Sequence, residues 1–403
     1  MSGIRSEISM NILSYFNLMM YGQRPSEEIK KHALETKALI VDLRSDTISK
    51  PPLAMRQAMF DAEVGDDVFE EDPTVKRLEE KAAKLLGKEA ALFVSSGTMG
   101  NLISVMIHCD TRGCEIYCGS ESHIVNHEQG GAAQIAGVTV CSLPNRPDGT
   151  FSLIDLESKL RSNWLHEPIS CLVAVENTIN GRLVPQEWIN QLEQLVHRHN
   201  LKLHLDGARL WNASVASGRP ACELARPFDS VTFCLSKGLA APAGSVLCGS
   251  ADFIRRARRA RKVLGGGMRQ VGVLAAAGIF ALDEMVPLLR DDHRRASEIA
   301  KAINATGSRI FSVDLGVTHS NMIMIKVSAD GVNGKSKVSA RDFVARLQCV
   351  KNEADDDDRI VVRGLALSSC LARLAFYYEI TDELTKATIR KINYVIREFE
   401  RNN

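Results

Sequence analysis

Short apolar runs alternate with amphipathic stretches from Ala38 onwards, and this alternation limits the fold more than any other feature of the chain. The amphipathic stretches have recognisable ends: one opens with Asp72 as a cap and closes at Gly87, and another runs from Glu187 to His199. Apolar strands that alternate with helices indicate a mainly parallel sheet covered on both faces, so the predicted fold class is α/β. The runs expected to form strands are Leu39–Val41, Ala90–Val94, Glu115–Cys118, Thr139–Ser142, Cys171–Val175, Leu201–Leu205, Ser230–Leu235 and Ser245–Cys248.

The length of 403 residues suggests more than one domain. We expect an N-terminal extension (residues 1–40), a large domain (41–290) and a small C-terminal α+β domain (291–403). A long helical stretch from Val271 to about Ile303 leads into that small domain. The apolar patch from Met10 to Met20 is interrupted by polar residues and is too short to span a bilayer, so we expect no membrane partner.

Positive and negative charges balance, with 50 Lys and Arg against 49 Asp and Glu. A balanced chain has no global field that would draw it to nucleic acid or to an anionic membrane. Six basic residues fall within residues 255–262, but no aromatic residues are interleaved with them. This pattern favours a solvated helix over a nucleic-acid interface, and we expect no nucleic-acid partner.

The chain contains 10 cysteines, many of them inside apolar stretches. Such placement is typical of buried thiols in a reducing compartment, so we expect a cytoplasmic protein. Cys114 and Cys118 are the closest pair, but no second pair of cysteines or histidines completes a zinc spacing. We therefore predict no metal site.

Ser96, Gly97 and Thr98 follow one expected strand and precede a helical run. Backbone N–H groups at the start of a helix favour an anion, so this turn is a candidate phosphate cradle. A glycine turn between a strand and a helix is as often purely structural. The segment matches neither the P-loop nor the dinucleotide-binding pattern.

Asp206 and Lys237 each follow the end of an apolar strand, which is where open α/β sheets bind ligands. Taken alone, an Asp in this position also suits a helix cap, and most lysines are solvated. A phosphate cradle, an acid and then a lysine are nevertheless the order that pyridoxal 5′-phosphate requires. The acid keeps the pyridine nitrogen protonated, and the lysine forms a Schiff base with the aldehyde.

Further motifs occur in a fixed order along the chain. They are residues 42–47, 63–68, 71–75, 96–101, 122–124, 128–133, 206–209, 235–238 and 264–270. With these motifs the sequence resembles the threonine aldolase family of fold-type I pyridoxal-phosphate enzymes, from Asp42 to about Ile396. The resemblance implies the fold of that family, with a large cofactor domain and a small C-terminal domain.

The resemblance also implies roles around the cofactor. Lys237 would form the Schiff base, Asp206 would pair with the ring nitrogen, and residues 96–98 would hold the phosphate. His123 matches the residue that stacks on the pyridine face, although a histidine in such a place is otherwise a capping or surface residue.

Arginines complete the implied site. Arg209 would lie near the cofactor's phenolate oxygen and the substrate carboxylate, with Ser45 as a further contact. Arg373 matches an arginine whose planar fork suits a bidentate grip on that carboxylate. Arg269 resembles an arginine that reaches the cofactor phosphate of a neighbouring subunit, which implies a homo-oligomer, a dimer or tetramer, with shared sites.

The sequence departs from the family pattern in a few places. Ile179 stands where a histidine that contacts the substrate hydroxyl would be, and the loop that follows is shorter than usual. Tyr377 lies where a second histidine is usual, and Glu70 replaces a common glycine. These changes leave the cofactor residues intact but put turnover and stereopreference at the β-carbon in question.

The resemblance implies cleavage of L-threonine or L-allo-threonine to glycine and acetaldehyde, in threonine catabolism and glycine biosynthesis. His123, or a water that it orders, would remove the hydroxyl proton. One alternative is a cofactor-binding protein with weak activity and a regulatory role, which the change at Ile179 would suit. Another is a different reaction of the same superfamily on small amino acids, such as transamination or β-elimination.

Overall fold

The computed structural model describes residues 38–328, 338–350 and 359–402, so residues 1–37 of the expected extension lie outside the described residues. The strands in them are β1 (Leu39–Asp42), β2 (Ala90–Val94), β3 (Cys114–Gly119), β4 (Thr139–Leu143), β5 (Ile169–Glu176), β6 (Lys202–Asp206), β7 (Ser230–Cys234), β8 (Ser245–Gly249), β9 (Phe311–Val313), β10 (Met322–Val327), β11 (Ile360–Arg363), β12 (Leu365–Ala366) and β13 (Leu371–Ala375). The expected strands are confirmed, with ends that differ by at most two residues.

The α-helices of the same residues alternate with these strands. They are α1 (Leu53–Phe60), α2 (Pro73–Leu86), α3 (Gly97–His108), α4 (His123–Asn126), α5 (Gly131–Gln134), α6 (Leu153–Lys159), α7 (Gln186–Arg198), α8 (Leu210–Ser217), α9 (Ala221–Ala225), α10 (Ala251–Val263), α11 (Gly272–Phe280), α12 (Leu289–Ala305), α13 (Ala340–Leu347) and α14 (Asp382–Asn402). Helix α2 begins and ends at the residues that the sequence indicated. The Asp72 carboxylate caps its start by accepting the N–H groups of Thr74 and Val75, and Gly87 ends it in a left-handed conformation with φ of 63°.

The described residues divide into two compact units, residues 49–290 and residues 38–48 together with those described between 291 and 402. The first unit is built on a seven-stranded sheet with the order β2-β8-β7-β6-β5-β3-β4. Its strands are parallel except β8, which runs antiparallel to both of its neighbours, β7 and β2. The α/β fold class is therefore confirmed, and the carboxyl ends of β2, β3, β5, β6 and β7 share one edge of the sheet.

The second unit contains an antiparallel sheet with the order β12-β13-β10-β9 and a separate parallel pair of β1 and β11. Its core includes Phe311, Phe343 and Ile396, which are buried against one another among aliphatic residues. Because β1 pairs with β11, residues 38–48 group with the C-terminal unit, whereas the sequence boundary had placed residues 41–48 in the large domain.

Helix α10 carries the basic run, and its inner face is not the solvated surface that the sequence suggested. Arg261 is 2% exposed and donates to the Asp67 carboxylate at 2.6 Å and to the carbonyl of Phe93 at 2.7 Å. Arg258 contacts the Glu79 carboxylate at 2.9 Å. These arginines join the helix to the rest of the large unit, since each faces a buried or half-buried acid.

The long helical stretch is confirmed from Gly272 to Ala305, with a π turn (Ala281–Met285) and a 3-10 turn (Val286–Leu288) between α11 and α12. By length and composition alone this stretch could cross a membrane, which is weak evidence because core helices pass the same test. Half of the most apolar 18-residue segment of this stretch is buried inside the protein.

Candidate active site

The shared carboxyl edge of the large unit's sheet collects the polar residues that the sequence singled out. The turn Ser96–Thr98 follows β2, and His123 follows β3. Asp206 ends β6, and Lys237 lies just beyond the end of the neighbouring β7. Parallel strand direction therefore brings together groups that are up to 141 residues apart in the chain, from Ser96 to Lys237.

Helix α3 begins at Gly97 with Ser96 as its cap, whose Oγ accepts the N–H of Met99 at 3.2 Å. The first N–H groups of any helix have no partner within it, so those of Gly97 and Thr98 face outward at the positive end of the helix dipole. A Cβ on Gly97 would lie 2.8 Å from the Sγ of Cys234. Only glycine fits this close approach, which keeps the turn against β7.

Asp206 is 2% exposed, and neutral donors serve both of its carboxylate oxygens. Oδ2 accepts from Nδ2 of Asn101 at 2.8 Å, and Oδ1 accepts the backbone N–H of Ala208 at 3.1 Å. Donors of this kind stabilise the ionised form of a buried carboxylate. The site thus holds a carboxylate in a fixed position at the end of β6.

His123 is held at two points. Its backbone N–H donates to the Glu176 carboxylate at 2.8 Å, and its Nδ1 lies 2.9 Å from Oε1 of Glu128. Burial lowers the pKa of His123, but the hydrogen bond that its ring N–H donates to Glu128 and the charges of Asp206, Glu128 and Glu176 outweigh it, so that its pKa is raised. The ring therefore takes up a proton more readily than a free histidine.

The carboxylates around His123 also titrate abnormally. Burial and the charge of Asp206 together raise the pKa of Glu176 to about 7, against the opposing effects of the His123 N–H, the charge of His123 and the charge of Lys237. Burial likewise raises the pKa of Glu128, helped by Asp206 and opposed by the hydrogen bond to His123. Clusters of such groups in one cleft are typical of acid–base sites.

Lys237 is half-buried, and its backbone is fixed on both sides. Its carbonyl accepts from the Oγ of Ser49 at 2.9 Å and from the N–H of Ala240 at 2.8 Å. Gly238 follows, where a Cβ would lie 3.0 Å from Leu289. These contacts fix the position of the residue while its side chain extends from the end of β7.

The two arginines that the sequence placed near the cofactor lie in different surroundings. Arg209 is half-buried, three residues after Asp206, and caps helix α8. Arg269 is 54% exposed at its side chain and pairs with Asp66 at 3.1 Å. Within this single chain, Arg269 lies at the surface of the large unit.

Ser45 and Arg373 belong to the other unit. The Ser45 hydroxyl accepts from the N–H of Thr47 at 3.2 Å and from its hydroxyl at 2.9 Å. Nη2 of Arg373, on β13, donates to the carbonyl of Arg44 at 2.9 Å. The structure thus joins the segments of Ser45 and Arg373, which the sequence separates by 328 residues.

The departures from the family pattern have physical explanations. Ile179 is 2% exposed and packs against Gly149, where a Cβ would lie 2.4 Å from the Ile179 Cγ2. A hairpin follows directly, since Ile179 and Arg182 exchange backbone hydrogen bonds of 3.0 and 2.9 Å across Asn180 and Gly181. Both turn residues have positive φ, of 49° and 79°, as a type I′ turn requires. Ile179 is therefore a core residue of a tight hairpin.

The other two departures differ in kind. Glu70 has a φ of 57°, a left-handed conformation that glycine adopts without strain. The hydroxyl of Tyr377 donates to the carbonyl of Asp42 at 3.0 Å within the C-terminal unit. Tyr377 therefore has a structural partner.

Sequence reasoning did not assign roles to Asn101, Glu128 and Glu176. The first two lie inside motifs that carry the resemblance, and Glu176 ends β5 beside the strand of Asp206. The sequence did offer one signal, a polar residue where the helix pattern predicts an apolar one, as at Asn101 on the buried face of α3. Apart from His123 and Glu128, which are five residues apart, the contact partners of these residues are remote in sequence, so the pattern alone did not reveal them.

Two groups of side chains in the described residues are close enough to hold a metal ion. The Cys109, Cys114 and Cys171 thiols form one, so that Cys114 meets these rather than the neighbouring Cys118. The other comprises His123, Glu128 and Asp206, whose ligand atoms lie within 4.8 Å of one another. In the second group, Asn101 directs its N–H donors at both carboxylates, which serves anions rather than a cation.

These residues fit pyridoxal 5′-phosphate on chemical grounds. Its phosphate needs outward N–H donors, which the start of α3 supplies, and its ring nitrogen needs an anion, which Asp206 supplies. Its aldehyde needs an amine, and Lys237 lies at the end of the strand next to that of Asp206. Each requirement of the cofactor thus has a counterpart at one edge of the sheet.

Comparison with known proteins gives a consistent result. Residues 42–329 match the beta-eliminating lyase family. The chain is 44% identical to low-specificity L-threonine aldolase 1 of Arabidopsis thaliana over 346 residues, covering 85% of this chain and 92% of that one. It is 42% identical to the low specificity L-threonine aldolase of Escherichia coli K12 over 291 residues, covering 72% and 86% of the two chains.

Among solved structures, the fold is similar to that of threonine aldolase from Leishmania major, with a TM-score of 0.68. The two share 21% sequence identity, and the match covers 89% of this chain and 99% of that one. The architecture is therefore shared across almost the whole of the other protein.

Proposed function

Because the chain belongs to the beta-eliminating lyase family, alongside the low-specificity L-threonine aldolases, we propose that it is a pyridoxal-phosphate-dependent L-threonine aldolase. It cleaves L-threonine and L-allo-threonine to glycine and acetaldehyde. The observation that carries this proposal is the convergence of Asp206, Lys237, His123 and the start of α3 at one sheet edge.

Pyridoxal 5′-phosphate, when bound, supplies an electron sink for the charge left on the substrate's α-carbon as the Cα–Cβ bond breaks. Lys237 would present its Nζ amine to the cofactor's aldehyde. Asp206 would pair with the ring nitrogen, and Asn101 and Ala208 hold its carboxylate in place by hydrogen bonds. Ser96, Gly97 and Thr98 bind the phosphate through the first turn of α3.

His123 moves the proton of the substrate hydroxyl. Its Nδ1 is engaged by Glu128, which leaves Nε2 as the ring atom that accepts this proton, directly or through a water. As the resemblance implies, the same ring would stack on the cofactor's pyridine face. Holding the ring through Nδ1 and through the backbone fixes the direction in which Nε2 points.

The substrate carboxylate is bound by arginines. Arg209 and Arg373 would bind it, with Ser45 as a further contact. The planar guanidinium fork suits a carboxylate because two N–H groups meet two oxygens. The resemblance to the threonine aldolase family supports these three assignments.

The experiment that tests this function is product analysis. Purified protein with pyridoxal 5′-phosphate is incubated with L-threonine and with L-allo-threonine, and glycine and acetaldehyde are quantified. The Lys237→Ala variant loses the activity, while Lys202→Ala retains it. Lys202 is the matched control because it lies at the start of β6, at the opposite end of the strand from Asp206, and pairs with Asp229 at 2.9 Å.

Other products would identify a different reaction. Keto acid formed from alanine would indicate transamination, and ammonia with pyruvate from serine would indicate β-elimination. Binding of the cofactor without any product would favour the regulatory alternative. Equal activity of Lys237→Ala and the parent would contradict the assignment of the amine.

We also propose the setting in which the enzyme acts. It works in the cytoplasm, in threonine catabolism and glycine biosynthesis, a location that the 10 free cysteines support. It is a homo-oligomer, a tetramer in our proposal, in which the exposed Arg269 reaches the cofactor phosphate of a neighbouring subunit. Sedimentation of the purified protein, and cofactor binding by Arg269→Ala against Arg255→Ala, test the assembly and the shared site.

A further inference from the structure

A continuous chain of hydrogen bonds runs through the interior of the large unit and ends at Asp206. Nε2 of His108 lies 2.7 Å from the Oγ of Ser230, which lies 2.8 Å from Nδ1 of His204. Nε2 of His204 lies 3.1 Å from Oδ1 of Asn101, and Nδ2 of Asn101 lies 2.8 Å from Oδ2 of Asp206. The chain thus connects the end of α3 with the anion at the end of β6.

The bonding partners fix the direction of every donor in this chain. Oδ1 of Asn101 only accepts, so Nε2 of His204 must donate to it, and Nδ1 of His204 must then accept from the Ser230 hydroxyl. Burial lowers the pKa of His204 to about 4, so the ring is neutral and has one N–H. The Asn101 amide presents its NH2 group to the two carboxylates, which accept, and its Oδ1 to the His204 N–H.

Asn101 uses both of its N–H donors on acids. One goes to Oδ2 of Asp206 and the other to Oε1 of Glu128, each at 2.8 Å. Glu128 is the residue that holds His123 at Nδ1. A single amide therefore joins the acid of the cofactor ring nitrogen to the acid that supports the catalytic histidine.

We propose that Asn101, oriented by His204, is a positioning residue that keeps the Asp206 carboxylate aimed at the ring nitrogen of the bound cofactor. This inference rests on the proposed function. Without the amide, Asp206 and Glu128, whose carboxylate oxygens lie within 4.8 Å of one another, would face each other with no donor between them and would repel. A rotated Asp206 could no longer pair with the ring nitrogen.

The location of Asn101 supports a role beyond packing. It is 2% exposed on α3, in a position where the other buried residues of the same helix include Ile103 and Val105. An asparagine in a helix interior is less favourable than an aliphatic residue by propensity. Its three side-chain contacts, to His204, Asp206 and Glu128, account for an amide at this place.

The test compares two cofactors in the parent and in Asn101→Leu. Apo-protein is titrated with pyridoxal 5′-phosphate and with 1-deazapyridoxal 5′-phosphate, in which a carbon replaces the ring nitrogen, and dissociation constants are measured from protein fluorescence. We expect Asn101→Leu to bind pyridoxal 5′-phosphate at least about tenfold more weakly, the scale of a hydrogen bond to a charged group. Binding of the deaza cofactor changes much less, because no ring nitrogen is there to pair with Asp206.

Two further variants complete the design. Ser104→Ala removes a buried polar group of the same helix that bonds only to the Gly100 carbonyl, at 2.9 Å, and binds both cofactors like the parent. His204→Phe leaves Asn101 in place but removes its orientation, so a smaller loss, again selective for pyridoxal 5′-phosphate, is expected. This variant provides the test if Asn101→Leu does not fold.

The outcomes separate the two proposals. An equal loss for both cofactors, or no loss for either, in Asn101→Leu and in His204→Phe overturns the positioning role and leaves the proposed function standing. Failure of the parent to bind pyridoxal 5′-phosphate overturns the proposed function and this inference with it. A loss confined to the cofactor with the ring nitrogen supports the positioning role.

Discussion

The Glu128 carboxylate lies 2.9 Å from Nδ1 of His123, and the Glu128 side chain is 5% exposed whereas that of His123 is 33% exposed. A buried acid therefore supports a partly accessible histidine. The acid lies on the protein side of the ring, which leaves the other ring nitrogen for the substrate.

Glu128→Gln shifts the pH dependence of catalysis. Burial lowers the pKa of His123, but Glu128, Asp206 and Glu176 together raise it, so removing one of these charges lowers it. His123 must be unprotonated to accept the hydroxyl proton, hence the acid limb of the kcat/KM profile moves to lower pH. Measurement of kcat/KM between pH 5 and 9 checks this.

The same pKa shift affects folding stability. A histidine whose pKa is raised in the folded protein stabilises the fold below its unfolded pKa, and this contribution is lost as the pH rises through the folded value.

Glu121→Gln is the control for the pH profile of kcat/KM, because Glu121 pairs with Arg182 and not with His123. An unchanged acid limb in Glu128→Gln, or an equal shift in Glu121→Gln, would contradict the assignment.

Ile179→His restores the residue type that the family pattern has, and we expect it to destabilise the protein without increasing its activity. Ile179 is 2% exposed against Gly149, so an imidazole there is buried without a partner. The free energy of unfolding falls by about 2 to 3 kcal/mol, and kcat for threonine does not rise. Ile179→Val, the control, loses about 1 kcal/mol. A higher kcat with unchanged stability would show that the hairpin can turn this side chain into the site.

Gly97→Ala creates a steric conflict that a second substitution relieves. The added Cβ lies 2.8 Å from the Sγ of Cys234, so we expect a loss of about 1 to 3 kcal/mol in the free energy of unfolding. Cys234→Ala removes the opposing sulfur, and the double variant recovers at least about 1 kcal/mol. Urea unfolding of the four chains gives this coupling energy, and additive losses would refute the contact.

Glu70→Gly stabilises the protein. Glu70 has a φ of 57°, and a left-handed conformation costs a residue with a Cβ about 1 to 2 kcal/mol, against a smaller entropic cost for glycine. We expect the free energy of unfolding, measured by thermal unfolding, to rise by roughly 0.5 to 1 kcal/mol. Glu70→Ala separates strain from charge, since it keeps the Cβ and loses only the exposed pair with Arg258 at 3.7 Å. Should both variants behave alike, strain is not the cause.

The sequence predicted the large unit well because its signals are local. Asp72 and Gly87 mark the ends of α2 through contacts within a few residues, and the apolar runs match the strands at nearly every position. Strand direction then follows from the α/β pattern. This is enough to place Asp206 and Lys237 at one edge of the sheet.

What the sequence did not reveal depends on contacts between distant segments. Asn101 and Asp206 are 105 residues apart, and nothing in the neighbourhood of either residue indicates the other. Arg261 was assigned to a solvated face because its neighbours are basic, yet its partner Asp67 lies 194 residues away. Long-range pairing of charged and amide groups has no periodic signature.

The pairing of β1 with β11 has a consequence for how the chain is made. Leu39 pairs with Ile360, so the ribosome must add 321 further residues after Leu39 before the partner strand of β1 is synthesised. The whole of residues 49–290 emerges in that interval and forms a compact unit from its own contacts. Biosynthesis therefore completes the inner unit first, and the unit built from both flanks closes last. A truncation before residue 360 would leave β1 as an unpaired edge, a known risk for aggregation.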